Sequence, residues 1–196
     1  MSSRLSASYL LLMGLGLVTI GQTADEAGFT LARLMRELAA VKIVNASFEE
    51  DKQLAALQQP LKLTGVLHYR APDYLQKKTL TPQPENIEVV GGRLIIERPD
   101  KGREELALGD YPPLHAFVES FRSTLAGDLA SLERYYVVSL AGDARNWLLR
   151  LEPRDQEMQR FVRSILIRGH AAGVLGVEIV EAGGDRSSLS IAPIND

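Results

Sequence analysis

The stretch "GVLHYRAPDYLQKKTLTPQPENIEVVGGRLIIERP", from Gly65 to Pro99, decides the fold class of this chain. It joins short runs rich in β-branched and aromatic residues through turn residues, a pattern that predicts strands. Gly91 and Gly92 can adopt the positive φ of a two-residue hairpin turn, and Pro72 and "PQP" separate further strands. The stretch therefore predicts an antiparallel meander, and it contains no obvious catalytic group.

The flanking segments add helices and more strands. On the N-terminal side, "TLARLMRELAAVK" has apolar residues every three or four positions and predicts an amphipathic helix with Thr30 as N-cap. A period of two follows, from Val44 to Phe48 and again in "LKLTGVLHYR". On the C-terminal side, "PPLHAFVESFRSTL" and "DLASLER" predict helices, and five runs between "YYVVSL" and "SSLSI" predict strands. The total is about ten or eleven strands and three helices.

These elements predict an α+β fold that is mainly β. A twisted antiparallel sheet of about ten strands tends to curl, and the apolar stripes of the helices need an apolar partner. The simplest arrangement is an incomplete antiparallel β-barrel with a lid of about three helices. A barrel whose core is filled, with no cavity, fits the same pattern.

Length and composition indicate one globular domain. The chain has 196 residues, of which 45% are hydrophobic and 24% charged, and its formal net charge is −3. These fractions are close to globular averages. A mildly acidic chain without a basic cluster is a poor binder of phosphate backbones, so we set nucleic acid aside.

The first residues have the pattern of a secretory signal. Arg4 precedes the apolar run "YLLLMGLGLVTI", and small or polar residues follow. The run is too short to span a membrane, which needs about 20 residues. We expect a signal peptide over residues 1–21, with cleavage as late as 24, and one domain over 22–196. The chain has no cysteine, so it has neither disulfides nor lipid attachment through an N-terminal cysteine, and we expect a soluble exported protein.

The common catalytic motifs are missing from the sequence. There is no cysteine nucleophile, GxSxG elbow, HExxH helix or phosphate-binding GxxxxGK[ST] loop. The histidines, His68, His115 and His170, are isolated, which favours surface or capping roles over a metal site. We therefore expect no enzymatic activity, no metal and no cofactor, although paired carboxylates of a hydrolase cannot be recognised from one sequence.

The acidic run Glu49, Glu50 and Asp51 does not have the spacing of a calcium loop. We expect it to be a solvated strand end.

The order of these segments resembles the LolA family of periplasmic carriers, which move lipoproteins to the outer membrane of Gram-negative bacteria. The resemblance covers about Phe29 to Ile191. It is carried by an opening helix, by "ASFEE" and "GVLHYRAP", by a proline-rich link to "VVGGRLI", and by the later "YYVVSL", "WLLRLEP" and "GGDRSSLSI". No single motif is specific, but their order and spacing together are.

The resemblance implies a periplasmic monomer with an apolar cavity for acyl chains. It also implies an acylated lipoprotein or other envelope lipid as cargo, an inner-membrane donor transporter and an outer-membrane acceptor. The predicted cavity residues are Leu67, Tyr69, Leu75, Ile87, Val89, Leu94, Ile96 and Trp147. The predicted lid residues are Leu34, Met35, Leu38, Phe117, Val118 and Phe121.

This chain departs from the family pattern at two positions. The family has an arginine before the strand-ending proline that is linked to lid closure, whereas Ala71 precedes Pro72 and the nearest candidate latch is Arg70. The family also has a glutamine after the first-strand phenylalanine, where this chain has Glu49. These departures predict a divergent branch whose cargo is a lipoprotein or another lipid.

Two other classes of function remain open at this point. One is a structural or interaction module with a filled core, which would not bind an apolar dye. The other is an exported hydrolase with unrecognised carboxylates, which is the less favoured of the two.

Overall fold

The computed structural model describes residues 28–194, and its main element is one antiparallel sheet of eleven strands. The predicted signal segment lies outside the described residues. The strands are β1 Ile43–Gln53, β2 Leu61–Arg70, β3 Tyr74–Thr81, β4 Glu85–Val90, β5 Arg93–Arg98, β6 Gly102–Ala107, β7 Tyr136–Gly142, β8 Trp147–Pro153, β9 Val162–His170, β10 Gly173–Glu181 and β11 Arg186–Pro193.

Four α-helices and one 3₁₀ turn complete the described chain. The helices are α1 Leu31–Ala40, α2 Pro112–Ala126, α3 Leu129–Tyr135 and α4 Gln156–Gln159, and the 3₁₀ turn is Leu108–Asp110. The Thr30 hydroxyl accepts a hydrogen bond from the Arg33 amide at 3.2 Å, so the predicted N-cap of α1 is confirmed. α2 begins with two prolines, which suit a first turn because its amides have no partner within the helix.

The strand order follows from short connections and one long-range pairing. It runs β6-β5-β4-β3-β2-β1-β11-β10-β9-β8-β7. Sequence neighbours pair as hairpins, including the turn at Gly91 and Gly92, where both φ angles are positive. β1 joins the two halves by pairing with β11 from Ala46–Pro193 to Gln53–Arg186. β6 and β7 end the order without pairing with each other, so the predicted incomplete barrel with a helical lid is confirmed.

The helices lie on one side of the sheet, which we call the inner face. Burial alternates strictly along β8, where Trp147, Leu149 and Leu151 are buried and the residues between them are exposed. The inner residues of β7–β11 and β1 form the larger core with α1 and α3. Hydrogen bonds fix this core: the Tyr136 hydroxyl donates to the Ala116 carbonyl of α2 at 2.9 Å, and the Trp147 indole donates to Ala171 at 2.8 Å.

Gly65 brings β2 and β3 close together. A Cβ at this position would lie 2.0 Å from the Lys78 carbonyl oxygen and 2.8 Å from Cε1 of Phe48. The register of β2 against β3 shifts between Thr64 and Gly65, as expected for a local bulge. The glycine is therefore required by close packing.

Candidate functional site

The inner face of β3–β6 carries a patch of aliphatic side chains, which we call the apolar strip. It consists of Leu75, Ile87, Val89, Leu94, Ile96 and Leu106. Its main row crosses the four strands in register through Leu75, Val89, Leu94 and Leu106, and a second row pairs Ile87 with Ile96. Such cross-strand neighbours on one face lie about 5 Å apart between Cβ atoms, so the strip is a continuous apolar surface.

The 3₁₀ turn and the start of α2 cover the strip. Leu108 of the turn and Leu114 and Val118 of α2 pack on it. The backbone amide of Leu108 donates a hydrogen bond to the Gly92 carbonyl at 2.9 Å, which holds the turn against the β4–β5 hairpin. The cover therefore comes from one short segment of the chain.

The strip forms an apolar cluster of its own, distinct from the larger core. The larger core has many side chains that are fully shielded from solvent, such as Leu149, Leu151 and Ile165. In the smaller cluster, five of the nine side chains stay only partly buried: Leu75, Ile87, Ile96, Leu106 and Leu114. The larger core has partly buried side chains too, thirteen of its twenty-nine, so the smaller cluster is the somewhat more open of the two. The partly exposed aliphatic side chains of the strip leave apolar surface that a ligand could cover.

The structure divides the predicted cavity between these two clusters. Five of its residues lie together on the strip: Leu75, Ile87, Val89, Leu94 and Ile96. Two others, Leu67 and Trp147, pack with the larger core, and Tyr69 is buried on the inner face of β2 opposite Leu75. The expectation of a single lining was wrong in this respect, because which strands lie beneath which helix depends on long-range packing.

The predicted lid divides in the same way. Val118 covers the strip, whereas the others pack on the larger core: Leu34, Met35, Leu38, Phe117 and Phe121. α2 thus spans both clusters. Sequence reasoning missed Leu106 and Leu108 of the strip and its cover; the alternation in "REELAL" was the signal for Leu106, while Leu108 lies in a 3₁₀ turn with no periodic pattern.

A buried ion pair lies on the inner face beside the strip. Glu50 of β1 accepts hydrogen bonds from the Lys77 ammonium and from the Ser187 hydroxyl, and the Lys77 ammonium lies 5.0 Å from the ring centroid of Phe48. Burial by itself disfavours the charged carboxylate, but Lys77 and Ser187 outweigh it and hold the pKa of Glu50 below its ordinary value.

The expectation that Glu50 belongs to a solvated strand end was wrong. Glu49 and Asp51 are exposed, as expected, but strand alternation turns the residue between them to the inner face. Its cationic partner lies 27 positions away in sequence, and sequence spacing gave no sign of that contact.

Two surface pockets lie away from the strip. One, of about 440 Å³, lies near the ends of β3–β6 and is lined by residues including Thr79, Glu85 and Arg98. The other, of about 490 Å³, lies beside Val137 and Arg163. None of the predicted cavity residues lines either of these two pockets.

Neither a metal-binding cluster nor a membrane-spanning helix is found in residues 28–194. No group of three or more His, Cys, Asp or Glu side chains there is arranged to hold a metal ion. Within the same range, no helix has both the length and the apolar character needed to cross a membrane.

Comparison with known protein families decides the relationship of the chain. Residues 22–193 match the family described as outer membrane lipoprotein carrier protein LolA-like. The chain belongs to this LolA-like family. The resemblance noted in the sequence is thereby confirmed. Membership of this family places the chain among lipid- or lipoprotein-binding or interaction modules. No protein of curated function matches the sequence.

Solved structures with a similar arrangement are distant in sequence. A LolA superfamily protein from Nitrosomonas europaea is 9% identical, with a TM-score of 0.45 over 86% of this chain and 95% of that chain. A DUF1329 family protein from Desulfovibrio piger is also 9% identical, with a TM-score of 0.44 over 86% and 91%. The MucA/MucB complex of Pseudomonas aeruginosa gives 15% identity and a TM-score of 0.44, covering 85% of this chain and 58% of that chain.

Arg70, the candidate latch that the resemblance implied, lies on the outer face of the sheet. This residue is exposed on the outer face, and its guanidinium lies 5.2 Å from the ring centroid of Tyr74. The register of β2 against β3 is regular from Gly65 to Arg70, so no bulge turns the side chain inward. The expectation of a latch at Arg70 was therefore wrong, because strand alternation fixes it on the face opposite to the helices.

Proposed function

We propose that the protein is an exported periplasmic carrier, without enzymatic activity, that binds acyl chains on the apolar strip and ferries them from the inner to the outer membrane. Its cargo is an acylated lipoprotein or another envelope lipid. The observation that supports this proposal is the incompletely packed aliphatic surface of β3–β6 beneath a short helical cover. Membership of the LolA-like family agrees with it.

Burial of hydrocarbon supplies the binding free energy that such a carrier needs. Each methylene transferred from water contributes about 0.8 kcal/mol, so a chain of a dozen carbons needs no reactive group to be held. The aliphatic side chains of the strip provide this apolar environment. A carrier of this kind requires neither a metal nor a cofactor.

The cover must move before a chain can reach the strip. In the structure, Leu108, Leu114 and Val118 already occupy the apolar surface that the chain would contact. Cargo and cover therefore compete for the same side chains. This competition keeps the opening near energetic balance, which favours both loading and release.

The partners in this proposal follow from the family alone. In the proposed cycle, as the resemblance to LolA carriers implies, the protein receives cargo from an inner-membrane transporter and delivers it to an acceptor at the outer membrane. We expect this protein to act between such partners as a soluble monomer.

Two neighbouring valines provide the test of this function. Val89 is buried in the strip, whereas Val90 points to the outer face and is exposed. Val89→Glu places a charge in the apolar surface and is expected to weaken binding of an acyl probe, such as a fluorescent fatty acid ester, at least tenfold. Fluorescence titration of the purified protein measures this affinity, and circular dichroism establishes that the variant is folded.

Val90→Glu is the matched control, since it introduces the same charge on the opposite face. It is expected to bind the probe like the wild-type protein. Equal weakening by the two variants would argue against the strip as the binding surface.

A filled-core interaction module is the second candidate, favoured by one observation. The helices cover the inner face, and the two surface pockets open elsewhere. A module of this kind would bind no acyl probe in either its wild-type or its variant form.

A further inference from the structure

Tyr69 has a polar group that the fold leaves without a partner. Its side chain is on the inner face of β2, directly opposite Leu75 of the strip, and the residue is only 3% exposed. Its hydroxyl is buried, and no hydrogen-bond partner for it is found among residues 28–194. Buried hydroxyls are nearly always hydrogen-bonded, so this one needs an explanation.

Packing alone does not explain the hydroxyl. A phenylalanine would fill the same space next to Leu75 without carrying a buried unsatisfied group, whose desolvation is unfavourable. Tyr69 is the cross-strand partner of Leu75 on the inner face, so a polar atom of a ligand that lies against Leu75 is within reach of this side chain. The free protein therefore has a donor in place before the ligand arrives.

The surroundings of Tyr69 select a neutral acceptor. Burial, and to a smaller extent the Asp73 carboxylate, raise the pKa of Tyr69, so the hydroxyl keeps its proton and acts as a donor at neutral pH. The same carboxylate repels an anion, and a bare charge is costly in a buried site. The carbonyl oxygen of an ester or amide accepts a hydrogen bond and carries no net charge, so it suits this site. A free fatty acid carboxylate is an anion and does not.

We propose that the Tyr69 hydroxyl donates a hydrogen bond to the acyl carbonyl oxygen of an ester- or amide-linked chain whose hydrocarbon lies on the apolar strip. This inference rests on the proposed function and adds selectivity to it. Cross-strand partners such as Tyr69 and Leu75 have Cβ atoms about 5 Å apart. The carbonyl and the first methylenes of one chain thus contact neighbouring residues at the same time.

The test compares ligands of similar length with and without a carbonyl. Displacement of a fluorescent apolar probe gives the affinities of methyl laurate, N-methyl lauramide and tridecane for the wild-type protein and for Tyr69→Phe. We expect Tyr69→Phe to weaken binding of the ester, the amide or both about tenfold, the size expected for loss of one hydrogen bond. Tridecane should bind the two proteins equally, and a loss confined to the ester or to the amide would assign the linkage.

Tyr74→Phe is the matched control, because Tyr74 lies on the outer face beside Arg70. It should leave all three affinities unchanged. Tyr69→Phe should unfold at no lower a urea concentration than the wild-type protein, since its hydroxyl has no partner to lose. Equal affinity of Tyr69→Phe and wild type for both carbonyl ligands would overturn the inference while leaving the carrier function standing. Failure of the wild-type protein to bind any of the three ligands would overturn both.

Discussion

Replacing Lys77 by methionine is expected to lower the free energy of unfolding at pH 7 by about 3–5 kcal/mol, the usual cost of removing one partner of a buried ion pair. The Glu50 side chain is 2% exposed and the Lys77 side chain 27%. Without the ammonium, the buried carboxylate keeps the Ser187 hydroxyl as its remaining hydrogen-bond donor in the structure. Methionine retains most of the aliphatic stem, so the loss reports on the charge. Urea unfolding measures it.

The contribution of Glu50 to stability should respond to acid in opposite directions in the wild-type protein and in Lys77→Met. In the wild-type protein the pKa of Glu50 is lowered, so its contribution to stability is present at neutral pH and is lost as the pH falls through the folded-state pKa. In Lys77→Met the ammonium no longer offsets the effect of burial, so the pKa of Glu50 should rise. Lowering the pH below 7 should then increase the free energy of unfolding of the variant. Between pH 7 and pH 5 the variant should gain stability at this site, whereas Glu50 of the wild-type protein stays ionised and contributes no change, because its pKa is lowered. Urea unfolding at the two pH values measures the difference.

Two further variants show whether the loss of stability comes from the unpaired charge of Glu50. Lys78→Met alters the adjacent, exposed lysine on the outer face and should leave stability nearly unchanged. The double variant Glu50→Gln with Lys77→Met removes both charges and should recover much of the loss. An unfolding free energy of Lys77→Met equal to that of Lys78→Met would contradict the buried ion pair.

Trp147→Ala is expected to destabilise the protein by about 3–5 kcal/mol while the folded variant still binds an acyl probe. Trp147 is 2% exposed in the larger core, and its indole hydrogen bond to Ala171 would be lost together with its packing. The strip lies in the other cluster and keeps all its side chains. Thermal unfolding and probe titration on the same sample separate the two effects.

Val137→Ala on the outer face of the neighbouring strand is the control for stability, because Val137 is about half exposed, at 47%, and lies outside both apolar clusters. If Trp147→Ala abolished probe binding with little loss of stability, Trp147 would line the binding site. The division of the inner face into two clusters would then be wrong.

Local pattern was enough to predict the strands, because alternation and turn residues act over a few positions. Each face of β2 could be assigned correctly: Tyr69 inward and His68 outward, where its ring nitrogen lies 2.5 Å from the Asn45 side-chain oxygen. The hairpin at Gly91 needed no long-range information either, since its backbone conformation is set by two glycines.

Long-range contacts limited what the sequence could predict about the site. The separation of the strip from the larger core depends on where α2 crosses the sheet, and Trp147 carries no local sign of which cluster it joins. Glu50 looked like a surface residue because its neighbours are acidic and its partner Lys77 is far away in sequence. The orphaned hydroxyl of Tyr69 is a property of three-dimensional packing, so alternation predicted its inner face and not its lack of a partner.

Photolabelling of the purified protein with a diazirine-bearing fatty acyl ester tests the central claim most directly, since it identifies the residues that an acyl chain contacts. After irradiation and digestion, mass spectrometry assigns the labelled peptides. We expect labels in residues 74–107 and in the cover at residues 108–118, with competition by unlabelled ester. Labels confined to β7–β11, or an absence of specific labelling, would contradict an acyl site on the apolar strip.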